Sequence, residues 1–166
     1  DGRSMTLQVV EQPESENLVP KKYEAILLST QELVDRYWAQ CVPHLDRCLE
    51  GMHGECTIDD LYTSVMQGQM YAIAVKNDDT ELPEVKLILI LQLTYYPQYT
   101  AMNVVAMGGK DLRHLIKKFW ADVCGWARIC GVTQIECSVA PGMERILSTV
   151  GFERKYVQLK QDLMEV

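Results

Sequence analysis

The stretch VVAMGGKDLRHLIKKFWADVCGWARICG, Val104 to Gly131, carries the reading on which the rest of the chain depends. It predicts the end of a strand, a Met107-Gly108-Gly109-Lys110 turn and an amphipathic helix opening at Asp111. Leu112, Leu115, Ile116, Phe119, Val123, Trp126 and Ala127 recur at helical spacing. Arg113, Lys117, Lys118, Asp122 and Arg128 take the opposite side. Asp111 is expected to cap the first turn, and Gly131 to end the helix in a left-handed conformation. A glycine turn between strand and helix would aim backbone N–H groups outward at the positive end of the helix dipole, where an anion such as a phosphate binds. The plainer reading of the same turn is a bend that needs freedom in φ.

The chain is acidic, with a net charge of −7 over 166 residues, which argues against nucleic acid as a general partner. A basic strip at Lys110, Arg113, Lys117 and Lys118 keeps one anionic ligand in play. The apolar fraction, 48%, suits a single globular domain with a substantial core. No run approaches the roughly 20 apolar residues of a membrane span. No secretory or other targeting pattern is visible, and the six cysteines include no C-x-x-C pair, so reduced thiols and a cytoplasmic location are expected. Residues 1–4 precede a methionine and read as an expression-vector remnant.

Taken in order, residues 5–22 read as an extended lead-in, and 23–166 as one domain. Tyr23 to Ser29 predicts a strand. Thr30 caps a helix that Pro43 is expected to break or kink, with a second helical piece after it. Thr57 caps a helix that stops at Gly68. Met70 to Lys76 and Glu84 to Tyr96 predict strands separated by a polar turn at 77–80. The second is apolar on both faces from Leu87 to Leu91 and therefore central. Pro97-Gln98 turns the chain into a partner strand, Tyr99 to Ala106. After the helix come a strand at Thr133 to Ala140, a short helix, and a last edge strand from Phe152 to Leu163. The fold class is α+β, with a single mixed, mostly antiparallel central sheet flanked by helices.

This order resembles the GNAT N-acetyltransferase superfamily. The carrying residues are VVAMGGKDLRHLI in the place of the acyl-CoA loop and ERILSTVGFERKYVQLKQDL as the closing element. The closing element is also similar to that of small GNAT-like proteins of tailed phages. The resemblance implies a seven-stranded, V-splayed sheet with acetyl-CoA in the split. Its pantothenate arm would pair with the strand ending at Val105 and Ala106. Its pyrophosphate would sit on the amides of Gly108, Gly109, Lys110, Asp111 and Leu112, with Arg113 close by, and a backbone N–H near Val105 to Met107 would hold the oxyanion. Valines at 108 and 109 are then expected to abolish CoA binding while the fold survives. The chain departs from the family pattern at three points. Leu147 stands where many members carry an acidic tyrosine, Ala140 stands where an asparagine is common, and the central strands hold no Asp or Glu over Leu87 to Tyr96 and Tyr99 to Ala106.

Candidates for acid–base work are Tyr95, Tyr96, Tyr99 and Tyr156, with Tyr156 able to replace the missing acid. Aromatics on strands are more often packing residues. Cys137, on the strand at the splay, can in principle accept an acyl group, although a buried cysteine more often acts as a small apolar residue. Cys41, His44 and Cys48 share a helical face near His53 and Cys56, a spacing open to a metal but matching no recognised ligand pattern. His114 sits beside the expected phosphate site. Three function classes follow. The first is an acyl-CoA-binding protein that transfers acetyl to an amine or protein acceptor. The second is a GNAT-fold interaction protein without catalysis, phage-encoded and bound to a phage or host protein or to copies of itself. The third is a metal-binding module.

Overall fold

The computed structural model describes residues 6–10, 22–78 and 83–164. The expected vector remnant, most of the lead-in and part of the 77–80 turn lie outside them. One sheet organises the chain. Its strands are β1 (Thr6–Val10), β2 (Lys22–Leu27), β3 (Tyr71–Asn77), β4 (Glu84–Tyr95), β5 (Thr100–Gly109) and β6 (Gln134–Cys137), neighbours in that order. The first five pair antiparallel, and β6 joins β5 in parallel. The lead-in thus contributes an edge strand at Thr6–Val10, paired with β2.

Helices cover both faces. α1 (Gln31–Glu50) and α2 (Ile58–Met66) pack on one, and α3 (Leu112–Ile129) and α4 (Pro141–Ser148) on the other. The sequence reason lies in β4. Leu87, Leu89 and Leu91 enter the α3 core, whereas Ile88 and Ile90 enter the α1–α2 core, and all five are at most 1% exposed. A strand buried on both faces has no polar alternation to show. Phe119 of α3 is 1% exposed and meets Tyr23 edge-on at 6.5 Å. Burying such a side chain contributes about 2–3 kcal/mol.

The caps at Thr30 and Thr57 form as expected. Thr30 Oγ1 accepts from the Leu33 N–H at 3.2 Å, and Thr57 forms a reciprocal capping box with Asp60. Gly131 is left-handed at φ 84°.

Four expectations are corrected. α1 runs unbroken through Pro43, whose exposed ring faces away from the core, so packing of Val34, Tyr37, Cys41, His44 and Leu45 on the sheet outweighs the lost hydrogen bond. β5 does not stop at Ala106 but continues through Gly109, so Met107-Gly108-Gly109 is strand and the turn is confined to Lys110 and Asp111. Asp111 does not cap α3 with its side chain; it adopts the left-handed region at φ 52° and makes the turn with its backbone. The strand expected from Phe152 to Leu163 does not form, leaving six strands among the described residues where the resemblance implied seven, and residues 153–164 are exposed. Alternation of polar and apolar residues marks a segment suited to an edge, but a strand forms only where a partner edge is within reach.

Candidate active site

Parallel pairing between β5 and β6 covers four positions, from Ala101↔Gln134 to Val104↔Cys137, and then ends. β5 continues for five residues beyond that point while β6 stops. Residues 105–109 therefore keep β4 on one side and have no strand on the other among the described residues. This is the V-shaped opening of the sheet. At its apex the β4–β5 register shifts: Ile90 faces Ala106 and Leu91 faces Val104, so Val105 is an extra, bulged residue. The bulge resets the side-chain alternation, which is why Val104 and Met107, three apart, both enter the α3 core.

The free flank of β5 leads directly to the start of α3. Asp111 O accepts from the amides of His114 and Leu115, both at 3.0 Å. In an α-helix the first amides have no acceptor inside the helix, which here leaves those of Leu112 and Arg113 facing outward. Lys110, Asp111 and Arg113 are exposed and Leu112 is half-buried. Lys110 Nζ donates to Glu84 Oε1 at 2.9 Å, and Lys86 holds the other oxygen at 3.1 Å. These two contacts, Lys110 first, draw the Glu84 carboxyl below its usual range. An anion at the helix start would meet the dipole, the two amides and the Arg113 guanidinium, opposed by the Asp111 carboxylate.

Gly108 and Gly109 have another task. A Cβ on Gly108 would lie 2.5 Å from the His44 carbonyl oxygen of α1, and one on Gly109 would lie 2.2 Å from the Lys86 oxygen of β4. That Lys86 oxygen accepts from the Lys110 amide at 2.9 Å. The glycines let a helix and a neighbouring strand close on β5, so valines there are expected to disrupt the packing itself, against the expectation that the fold survives them.

His44 is 5% exposed and has both ring nitrogens engaged. The Arg47 guanidinium, a donor only, lies 2.7 Å from Nδ1, so Nδ1 accepts and Nε2–H donates to the Val85 oxygen at 3.0 Å. That arrangement fastens α1 to β4 and leaves no ring nitrogen for a metal. Burial pushes the Cys41 thiol up to about 12, as for a core residue. Among the described residues no three His, Cys, Asp or Glu side chains are grouped to hold a metal ion.

Cys137 ends β6 at the apex, half-buried against the α3 core. Burial first, then the Glu136 charge, pushes its thiol up to about 11, which keeps it protonated and a poor nucleophile near neutral pH. Tyr156 is 92% exposed in the irregular closing segment, close enough to Tyr96 for its charge to raise that phenol further. Leu147 is 2% exposed in the α3 core.

The sequence reading passed over Glu136. It pairs in register with Asn103, and alternation turns both toward the α1–α2 side, since Ile135, Cys137, Met102 and Val104 pack on the other. The Tyr96 hydroxyl donates to Glu136 Oε1 at 2.6 Å, and the Tyr96 and Tyr99 rings lie tilted at 45° with centroids 5.1 Å apart. The hydrogen bond to Glu136 is the main reason the Tyr96 phenol is pushed up to about 12. A carboxylate one residue before the parting of β5 and β6 is thus joined to a tyrosine pair at the β4–β5 hairpin. The sequence signal was available in TQIECSVA: a lone acidic residue inside a short strand whose neighbours are apolar.

No family model matches the sequence. No curated protein matches it either. Solved structures do match in shape. An aminoglycoside N-acetyltransferase in complex with CoA superposes with a TM-score of 0.63 at 12% identity, over 88% of this chain and 99% of that one. An aminoglycoside acetyltransferase from an uncultured soil metagenomic sample, in complex with trehalose, gives 0.61 at 12% identity, over 85% and 96%. Glucosamine-6-phosphate N-acetyltransferase from Arabidopsis thaliana gives 0.58 at 9% identity, over 78% and 93%. At these identities the likeness speaks for architecture alone, and together with the splayed sheet it shows that this chain has the GNAT N-acetyltransferase fold.

Proposed function

We propose that this chain binds acetyl-CoA along the free flank of β5 and transfers the acetyl group to an amine. The observation that carries the reading is the parting of β5 from β6 after Val104 and Cys137, which leaves Val105–Met107 open and leads to the outward amides of Leu112 and Arg113. A pantetheine-like arm pairs with that flank as an added strand would, and the pyrophosphate meets the first turn of α3. The CoA-bound neighbour supports a CoA-type ligand on this fold.

Acetyl-CoA supplies the activated acyl group as a thioester. Chain residues do the rest. Backbone N–H groups at Val105–Met107 hold the negative charge that develops on the carbonyl oxygen. Glu136, already a hydrogen-bond acceptor for Tyr96, takes the proton that the amine loses as its nitrogen bonds the carbonyl carbon. The carbon–sulfur bond breaks, and CoA leaves as a thiolate that is protonated by water. Tyr96 and Tyr99 give a cationic amine two aromatic faces beside that carboxylate. Positioning the amine and the thioester supplies much of the remaining rate.

The test is a thermal-shift titration with acetyl-CoA, followed by an assay of thiol release with an amine panel. Binding at 100 times the dissociation constant should add about 2.7 kcal/mol to stability. No shift at millimolar ligand would overturn the reading; a shift without thiol release would reduce it to binding.

A further inference from the structure

One stripe of α1, made of Gln40, Pro43, His44 and Arg47 at three- and four-residue spacing, lines a cleft of about 480 Å³ together with Glu84, Val85 and Lys110. β5 pairs with β4 only as far as Leu87, so Val85 has no β5 residue opposite it. Side chains of α1 satisfy its backbone instead. Gln40 Oε1 accepts from the Val85 amide at 2.8 Å, and His44 Nε2–H donates to the Val85 oxygen at 3.0 Å. Gln40 Nε2 also donates to the Pro83 oxygen at 3.2 Å. The walls of the cleft are fixed by these bonds. The buried His44 ring in turn orients Arg47, whose guanidinium lies 2.7 Å from Nδ1. Among the described residues no carboxylate pairs with Arg47, while Lys110 and Lys86 share the one carboxylate of Glu84. Three cations thus meet a single anion at this corner of a chain whose net charge is −7.

We propose that this cleft binds the phosphate group of a small phosphomonoester, at a site separate from the start of α3. The N–H groups of Arg47 that His44 leaves unspent form a fork suited to two phosphate oxygens, and Lys110 supplies a second positive charge. When Lys110 turns to the ligand, Glu84 keeps Lys86 as its partner. The cleft has room for more than a phosphate ion, and Pro43 gives an organic body an apolar wall. A long polyanion is disfavoured by the acidity of the chain as a whole. Val85 belongs to the α1–α2 core, whereas Leu112 packs on the α3 core, so the cleft and the outward amides of α3 occupy opposite faces of the sheet. The two sites meet only at Lys110, whose side chain lines the cleft and whose backbone enters the turn before α3. Binding in the cleft does not rest on the CoA reading.

The experiment titrates the full chain with inorganic phosphate and with glycerol 2-phosphate, followed by amide NMR and calorimetry, against potassium chloride at equal ionic strength. Saturable shifts are expected at residues 44–47, 84–86 and 110, with a dissociation constant of about 1 mM or below for glycerol 2-phosphate. Arg47→Gln should weaken binding by about tenfold or more. Arg47→Lys, which keeps the charge and loses the fork, should weaken it by about threefold, and it still reads the site if the glutamine variant fails to fold. Arg113→Glu should leave phosphate affinity unchanged. Shifts no larger than those in potassium chloride overturn the inference, and so does equal affinity in the wild type and the Arg47 variants. Shifts that centre on 112–114 and vanish in Arg113→Glu overturn it too, because the ion would then sit at the start of α3. Displacement of phosphate by CoA but not by dephospho-CoA would likewise overturn it, since the cleft would then be part of the CoA site. A chain that binds phosphate here and no CoA would overturn the proposed function alone.

Discussion

Gly108–Gly109 and Lys110–Arg113 adjoin in sequence but belong to opposite regimes. The glycine pair is closed in: one Cβ would meet the α1 backbone and the other the β4 backbone, each at 2.5 Å or less. The four residues after it turn outward, with three exposed side chains and amides at a helix start. A glycine pair before a helix can be read as an anion cradle or as a packing requirement, and here the two roles fall on successive residues. Freedom in φ is used by neither glycine; the left-handed residue is Asp111.

The largest expected effect breaks the closed half. Gly109→Val should cost about 3 kcal/mol or more in a urea denaturation series, because the clash is with backbone that cannot step aside. Gly108→Val should follow closely. Stability within 1 kcal/mol of wild type would show that β5 can move away from α1 and β4.

At the opening itself, Glu136→Gln should lower the rate of acetyl transfer by about a hundredfold, as loss of a general base does, with CoA affinity unchanged. Steady-state kinetics beside calorimetry separates the two. An equal loss in affinity would place Glu136 with the ligand rather than with proton transfer.

The exposed half responds in the reverse sense to the glycines. Arg113→Glu should leave the denaturation midpoint unchanged and weaken CoA binding about tenfold, near 1.4 kcal/mol. A drop in stability without a change in affinity would move the anion site elsewhere.

The smallest effect concerns the core under α1. Burial raises the Cys41 thiol from 9.0 to about 12. A raised folded-state pKa stabilises below the unfolded value and loses that contribution as pH climbs through the folded one. Stability should therefore decline between about pH 9 and pH 12, and Cys41→Ala should decline less steeply across the same window.

Much of the architecture was legible because it rests on local physics. The 3.6-residue rhythm of Leu112 to Ala127 gave α3, and Leu87 to Leu91 gave a central strand. Thr30 and Thr57 gave two helix starts because a hydroxyl satisfies an amide three residues on, wherever the helix lies. Pro43 was misread because the penalty for a proline is local, whereas the packing that holds α1 together is not. The strand expected after Phe152 was misread because its pattern is compatible with an edge, but no backbone pairing forms there among the described residues. At the site, the opening and the start of α3 were anticipated in order but displaced by a few residues, since the turn falls at Lys110–Asp111. Glu136 was missed because its meaning lies in the register with Asn103 and in the approach of Tyr96 from 40 residues away.

By itself the sequence determined the apolar rhythms of α3 and β4, the helix starts at Thr30 and Thr57, the succession of strands and helices from β3 to α4, and the acidic charge that disfavours nucleic acid. These follow from contacts within a few residues or from composition. Only the tertiary structure decided that Gly108 and Gly109 serve packing, that Asp111 makes the turn, that β5 and β6 part after Val104, and that a carboxylate waits beside the opening. Each of those depends on which distant backbone lies against which residue, and no spacing along the chain encodes that distance.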